Sequence, residues 1–190
     1  MEKKKFSTKQ IALIGVLSAL VFAATYLHID IPTALGKTMI HFGNVVCLLG
    51  GLLFGPVTGG LSAGIGSALY DFMDPAFAPE AWITFINKFL MGFVAGMICN
   101  IGRDKGAKKE KLFTLVGGIC GSVTYVVLYI TKTIVTQYFI NSGVWATVLT
   151  VAIQKGAVSL FNGMVAVVVS LFLTLSLRPA LRKAHLFEKL

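Results

Sequence analysis

Six apolar runs dictate what this chain can fold into. They lie at about 8–27, 41–55, 57–72, 80–101, 112–139 and 147–177. A bilayer-spanning helix needs roughly 20 mostly apolar residues, or about 17 when short. The second and third runs are short and share a Gly-rich junction, LFGPVTGG. The last two are long enough to tilt or to extend beyond the bilayer. Only 13% of the residues are charged, against about 25% in a soluble domain, so the chain cannot cover itself with polar surface. The expectation is an all-α membrane protein with six transmembrane helices, forming one integral-membrane domain over residues 1–190. The first run has no A-x-A-like site and five more follow it, so a cleavable signal is not expected.

Charge gives this array an orientation. The formal net charge is +9, which alone would suggest a nucleic-acid partner. Its distribution argues otherwise, because 13 of the 17 Lys and Arg lie in three places. These are Lys3, Lys4, Lys5 and Lys9; then Arg103, Lys105, Lys108, Lys109 and Lys111; then Arg178, Arg182, Lys183 and Lys189. With six spans all three places fall on one side, the positive-inside pattern, which puts both termini in the cytoplasm. Contact with anionic lipid accounts for the basic ends without nucleic acid. The opposite loops hold Asp30, Asp71, Asp74 and Glu80, with Lys37. Cys47, Cys99 and Cys120 fall in apolar runs at no metal-like spacing and read as small buried hydrophobes; His185 sits in the basic tail and reads as solvated.

Three lysines do not fit that scheme. Lys88, Lys132 and Lys155 lie inside spans, where a central charge costs on the order of 3 kcal/mol or more. At about 1.5 Å per residue, Lys88 is roughly 12 Å in from Glu80, Lys132 roughly 13 Å from Asn141 and Lys155 roughly 15 Å from Trp145. Their common depth suggests one polar cavity opening outward; the competing reading is that each snorkels or pairs with an acid such as Asp71. Their neighbours favour the cavity. Tyr125, Tyr129, Lys132 and Thr136 share one helix face, as do Lys155, Ser159 and Asn162. Asn87 precedes Lys88 with Thr84 one turn earlier, and His41 and Asn44 lie one turn apart at the outer start of the second run. Trp82 and Trp145 sit near outer span ends, where an interfacial aromatic belt competes with a binding role. Aromatic walls with a few directed polar groups suit a small-molecule pocket.

No cofactor or energy source is legible. GKT at Gly36 to Thr38 fails as a nucleotide-binding loop, because the required earlier Gly is Ile31. Neither mid-span acids nor inverted repeats of a secondary carrier are evident. A binding site without a motor suggests a subunit of something larger. Gly15, Ala19 and Ala23, four residues apart in the first run, form a small-residue stripe suited to close helix docking.

The chain resembles the substrate-binding S component of energy-coupling factor (ECF) vitamin transporters. The resemblance covers nearly the whole chain and is carried by HFGNVVCLLGGLLFGPVTGGLSAGIGSALYDFMDPAFAPEAWITFINKF, which is similar to the riboflavin and vitamin B6 branch. It implies a multi-pass protein of the bacterial plasma membrane that binds a vitamin near the outer face. The vitamin would be held by the first outer loop and the last three helices. It also implies docking, through Gly15, Ala19 and Ala23, onto a transmembrane coupling protein, EcfT, driven by two ATPases. ATP hydrolysis would then belong to the partners and not to this chain. The lysine-rich site favours a B6 vitamer, with riboflavin and pantothenate as alternatives. The rivals are an autonomous secondary carrier and a small membrane enzyme; His28 and His41 have no acid at a recognisable catalytic spacing. The expected binding residues are His41, Asn44, Asp71, Trp82, Asn87, Lys88, Tyr125, Tyr129, Lys132, Lys155 and Asn162.

Overall fold

A computed structural model describes residues 6–103 and 105–184. Lys3, Lys4, Lys5, His185 and Lys189 lie outside the described residues. The described residues form six helices: α1 (Thr8–Tyr26), α2 (Gly43–Phe54), α3 (Pro56–Met73), α4 (Ala81–Gly102), α5 (Ala107–Val135) and α6 (Trp145–Lys183). These match the six apolar runs within a few residues at most ends. The all-α expectation needs one correction. Between α1 and α2 the chain forms an antiparallel hairpin, β1 (His28–Pro32) with β2 (Lys37–His41), in which His28 faces His41 and Pro32 faces Lys37. HIDI alternates polar and apolar residues, as a strand with one covered face does, KTMIH does not, and Gly36 turns the chain at φ +78°.

Length separates the helices into two kinds. α1, α4 with its preceding 3-10 turn, α5 with its terminal π turn, and α6 are each long and apolar enough to cross a membrane. α2 has 12 residues, about 18 Å of helix, well short of a hydrocarbon core of about 30 Å. The hairpin precedes it in the chain. At the other end of α2, Gly55 adopts φ +87° and Pro56 opens α3 at once. Only glycine takes that backbone without strain, and proline suits a first helical turn.

Glycines bring α2, α3 and α4 together. A Cβ on Gly92 would sit 2.7 Å from the Gly59 carbonyl oxygen, and one on Gly96 would sit 2.6 Å from the Gly55 carbonyl carbon. Backbones therefore touch across this seam, and the core of Leu48, Leu52, Met91 and Ala95 closes beside it. Cys47 and Cys99 are buried in the same core. The α2 C-terminus, far from the hairpin, is closed by arginines. Arg178 donates to Leu52 O at 2.8 Å and Arg103 donates to Leu53 O at 3.0 Å. These carbonyls would otherwise be orphaned by the helix end.

α1 packs on α3 and α2: Ser18 and Val21 lie against Gly66 of α3, and Leu17 and Thr25 lie beside Gly50 and Gly43 of α2. Gly15, Ala19 and Ala23 are exposed, and a Cβ on Gly15 would meet nothing within 4 Å. The stripe thus faces away from the protein's own bundle, flanked by Val16 and Leu20, which are also exposed.

Candidate functional site

The hairpin end of the bundle holds two adjoining cavities. The inner one, of about 40 Å³, lies between β2 and helices α3 to α6 and is walled by His41, Asp71, Asn87, Lys88, Tyr125, Tyr129, Lys132 and Asn162. Eight of the 11 residues expected from the sequence therefore converge. The rim cavity, of about 510 Å³, lies above and opens between the hairpin turn, the α3–α4 connection and the start of α6. Phe77 lines both and stands between them.

Lys88 is the deepest cation of the inner cavity, 4% exposed. Its ammonium donates to Asn44 Oδ1 and lies 3.8 Å from the centroid of the Tyr125 ring. The ring face supplies negative potential. Asn44 itself is fully buried beneath the cavity, and its Nδ2 has no hydrogen-bond partner. An unused buried donor costs roughly 1–3 kcal/mol, which a ligand acceptor would recover. Tyr125 and Tyr129, one turn apart on α5, stack at 5.6 Å and 22° to form an aromatic wall.

Asp71, on the last turn of α3, is buried in the same wall and forms no ion pair with a described residue. Lys132 lies 5.4 Å from the Tyr129 ring and pairs with Glu80, a rim-cavity residue. Together with Phe77, this pair partitions the two cavities. The π turn Thr136–Ile140 ends this helix. Thr136, one turn beyond Lys132, lines neither cavity.

Three expectations are corrected. Lys155 does not join Lys88 and Lys132 in one chamber: it lines the rim cavity, one compartment out. Helix depth fixes a level along the bundle, not a position around it. Trp82 is 65% exposed and lines neither cavity, so it stands with Trp145 on the outer surface of the helices. His41 and Asn44 do not share a helix turn, because His41 belongs to β2 and α2 begins at Gly43. The two still meet the same site from strand and helix.

Asn162 borders the inner cavity, but both ends of its amide are engaged. Its Nδ2 donates to Met39 O at 2.8 Å and its Oδ1 accepts from His41 N at 3.3 Å. It fixes the hairpin to α6. Gln154 adds a second attachment by accepting from Ala34 N at 3.0 Å. On the other flank Lys37 pairs with Asp30 at 2.8 Å and Asp74 at 2.9 Å. Hydrogen bonds to Asp30 and then Asp74 hold the Lys37 ammonium above its ordinary range. Burial alone would raise the Asp74 carboxyl, but Lys37 and the Ala76 N–H outweigh it and hold it below the usual range. Glu80, Phe77, Thr38 and Gln154 were missed by sequence reasoning. Thr38, Phe77 and Glu80 lie between the helices, and Gln154 lies on α6 beside Lys155; only the fold brings them to the same end.

Residues 5–179 match the family model described as the ECF-type riboflavin transporter, S component. A UPF0397 protein of Exiguobacterium sp. is 31% identical over 65% of this chain and 68% of its own length. A UPF0397 protein of Clostridium perfringens is 33% identical over 66% and 68%. An uncharacterised Pyrococcus woesei protein is 30% identical over 54% of this chain and 66% of that protein. The chain thus spans about two thirds of the length of these relatives. A solved structure, described as the S component of a bacterial ECF transporter, superposes with a TM-score of 0.60 at 21% identity. It covers 91% of this chain and 97% of that one, and supports the fold.

Proposed function

Because the chain belongs to the S-component family of ECF-type riboflavin transporters, we propose that it captures a B6 vitamer for an ATP-driven importer. It is a transport component and a multi-pass protein of the cell membrane. The finer reading has all six helices crossing or entering the bilayer, with both termini cytoplasmic and the hairpin end outside. The basic residues at the far end support that orientation.

One observation carries the choice of ligand: the Asp71 carboxylate and the Lys88 ammonium share a small cavity beside stacked tyrosines. A B6 vitamer is a small ring carrying a phenolate and a pyridinium, so it answers both charges at once. Leaving either charge buried alone is costly. The spare Asn44 donor suits a ring hydroxyl or phenolate. In this reading Lys88, Asp71, Asn87, Tyr125, Tyr129 and Lys132 contact the vitamin, and His41 and Asn162 hold the hairpin over it.

Pantothenate is the second reading, favoured by Lys155. That ammonium is largely buried at the wall of the rim cavity and pairs with no described residue. A ligand carboxylate would answer it. The exposed stripe Gly15, Ala19 and Ala23 supports docking to a transmembrane coupling protein of the EcfT kind, with two ATPases behind it.

Isothermal titration of the purified chain with pyridoxine, pyridoxamine, riboflavin and pantothenate tests the ligand. Tight binding of a B6 vitamer is expected. Riboflavin binding without a B6 response overturns the vitamin. Tight pantothenate binding keeps the lysines and discards the pyridine ring.

A further inference from the structure

The end opposite the hairpin has a cavity of its own that vitamin binding does not use. It measures about 340 Å³ and lies between the start of α5 and the end of α6. Its charged lining is Lys111, Arg178, Arg182 and Glu110. Arg178 and Arg182 both donate to the same oxygen, Glu110 Oε1, at 2.8 and 2.9 Å. One carboxylate therefore answers three cations, and the cavity keeps a net charge of +2. Arg178 is committed to the fold, with further bonds to Thr114 and Leu52. Lys111 and Arg182 are exposed at the mouth.

The rest of the lining is apolar, including Leu175 and Pro179. Two apolar tracks lead from it toward the middle of the bundle. On α6, Phe172 and Val168 follow Leu175 at helical spacing and are 70% and 68% exposed. On α5, Leu115 and Ile119 follow Lys111 at helical spacing and are 37% and 44% exposed. A cationic mouth continued by paired apolar tracks is complementary to an amphiphile with an anionic head. We propose that this cavity binds the headgroup of an anionic phospholipid, with its acyl chains lying along α5 and α6. Basic pockets between helices at a cytoplasmic surface hold such headgroups through phosphate contacts, while neutral lipids lack the net charge to compete.

The test uses the purified full chain, phosphatidylglycerol and phosphatidylcholine of matched acyl chains, and native mass spectrometry. One phosphatidylglycerol should be retained in preference to phosphatidylcholine. The double variant Lys111→Ala/Arg182→Ala should weaken that retention by at least about tenfold, the scale of losing two surface cations. Lys105→Ala/Lys108→Ala removes the same charge from the same end and should change it less than about twofold. Lys111→Glu alone, at an exposed position that makes no demand on folding, should also weaken it. Equal losses in both double variants would reduce the site to diffuse surface charge and overturn the proposal. So would displacement of the lipid by millimolar inorganic phosphate, which would make this a soluble-anion site. Unchanged lipid retention with loss of a co-purifying membrane protein would make it a protein-docking face instead.

Discussion

Arg178 and Lys88 are both buried cations, one at each end of the molecule, and they are held in opposite ways. Arg178 is saturated: a carboxylate, a hydroxyl and a helix-terminal carbonyl take its protons. Lys88 has an amide oxygen and an aromatic face, no carboxylate within ion-pairing distance, and a cavity beside it. A cation whose counter-charge is built into the chain holds helices together. A cation left partly unanswered is available to a ligand.

The largest expected effect breaks the saturated end. Arg178→Met leaves the Leu52 carbonyl without that donor and removes one partner of the partly buried Glu110. Loss of a buried partner costs about 3–5 kcal/mol. The low end applies because Arg182 still pairs with Glu110. Thermal melting in detergent should show it, and an unchanged melting temperature would remove the distinction between the two cations. Lys88→Met should cost the unliganded fold less, about 1 kcal/mol, since only Asn44 Oδ1 loses its donor. Ligand affinity should instead fall by about 1.5–3 kcal/mol, the worth of a charge-assisted hydrogen bond. Titration calorimetry beside the melting curve separates the two losses; a fold loss matching that of Arg178→Met would make Lys88 another clamp.

A third substitution sharpens the contrast between sealed and open surfaces. Ala19→Leu places bulk on a face that is exposed among the described residues, so stability and ligand affinity should stay within about 0.5 kcal/mol. Uptake by the assembled transporter should fail. If affinity falls as well, the stripe serves the chain's own packing. The smallest effect belongs to the Asp30–Lys37–Asp74 clasp. Asp74 has a depressed pKa, so its contribution is present above the unfolded value, about 3.9, and is lost as pH falls through the folded one. Lys37 has a raised pKa, so its contribution is full below about 10.4 and is lost as pH rises through the folded value. The clasp should therefore hold across neutral pH and release in acid, with an effect of up to about 1 kcal/mol for an exposed pair. Hydrogen exchange of the hairpin amides, followed from pH 6 to pH 3, should report it; flat protection would show that Gln154 and Asn162 alone hold the hairpin.

Much of this was legible in the residues. Apolar length placed the helices, and helical spacing placed Tyr125, Tyr129 and Lys132 on one wall. Intramembrane charge pointed to Lys88 because an unexplained cation in a bilayer has few structural uses. What escaped was pairing across long separations in the chain. Glu80 meets Lys132 from 52 residues away, and Asn162 reaches back 123 residues to Met39. The hairpin escaped because its strands are only five residues long and KTMIH does not alternate, and a polar turn between spans reads as loop. Lys155 was placed at the right level but in the wrong chamber, since one-dimensional counting carries no azimuth.

The narrowness of the inner cavity sets a clock. At about 40 Å³ it holds a few water molecules, far less than a vitamin. On the proposed reading, Phe77 and the Lys132–Glu80 pair must part before a ligand passes inward from the rim cavity, and must part again for it to leave. Association is then expected below the roughly 10⁵–10⁷ M⁻¹s⁻¹ of preformed docking, with tight binding coming from long residence. A binding subunit of the kind proposed would gain from that arrangement, because a bound molecule would outlast the search for a coupling partner in the plane of the membrane.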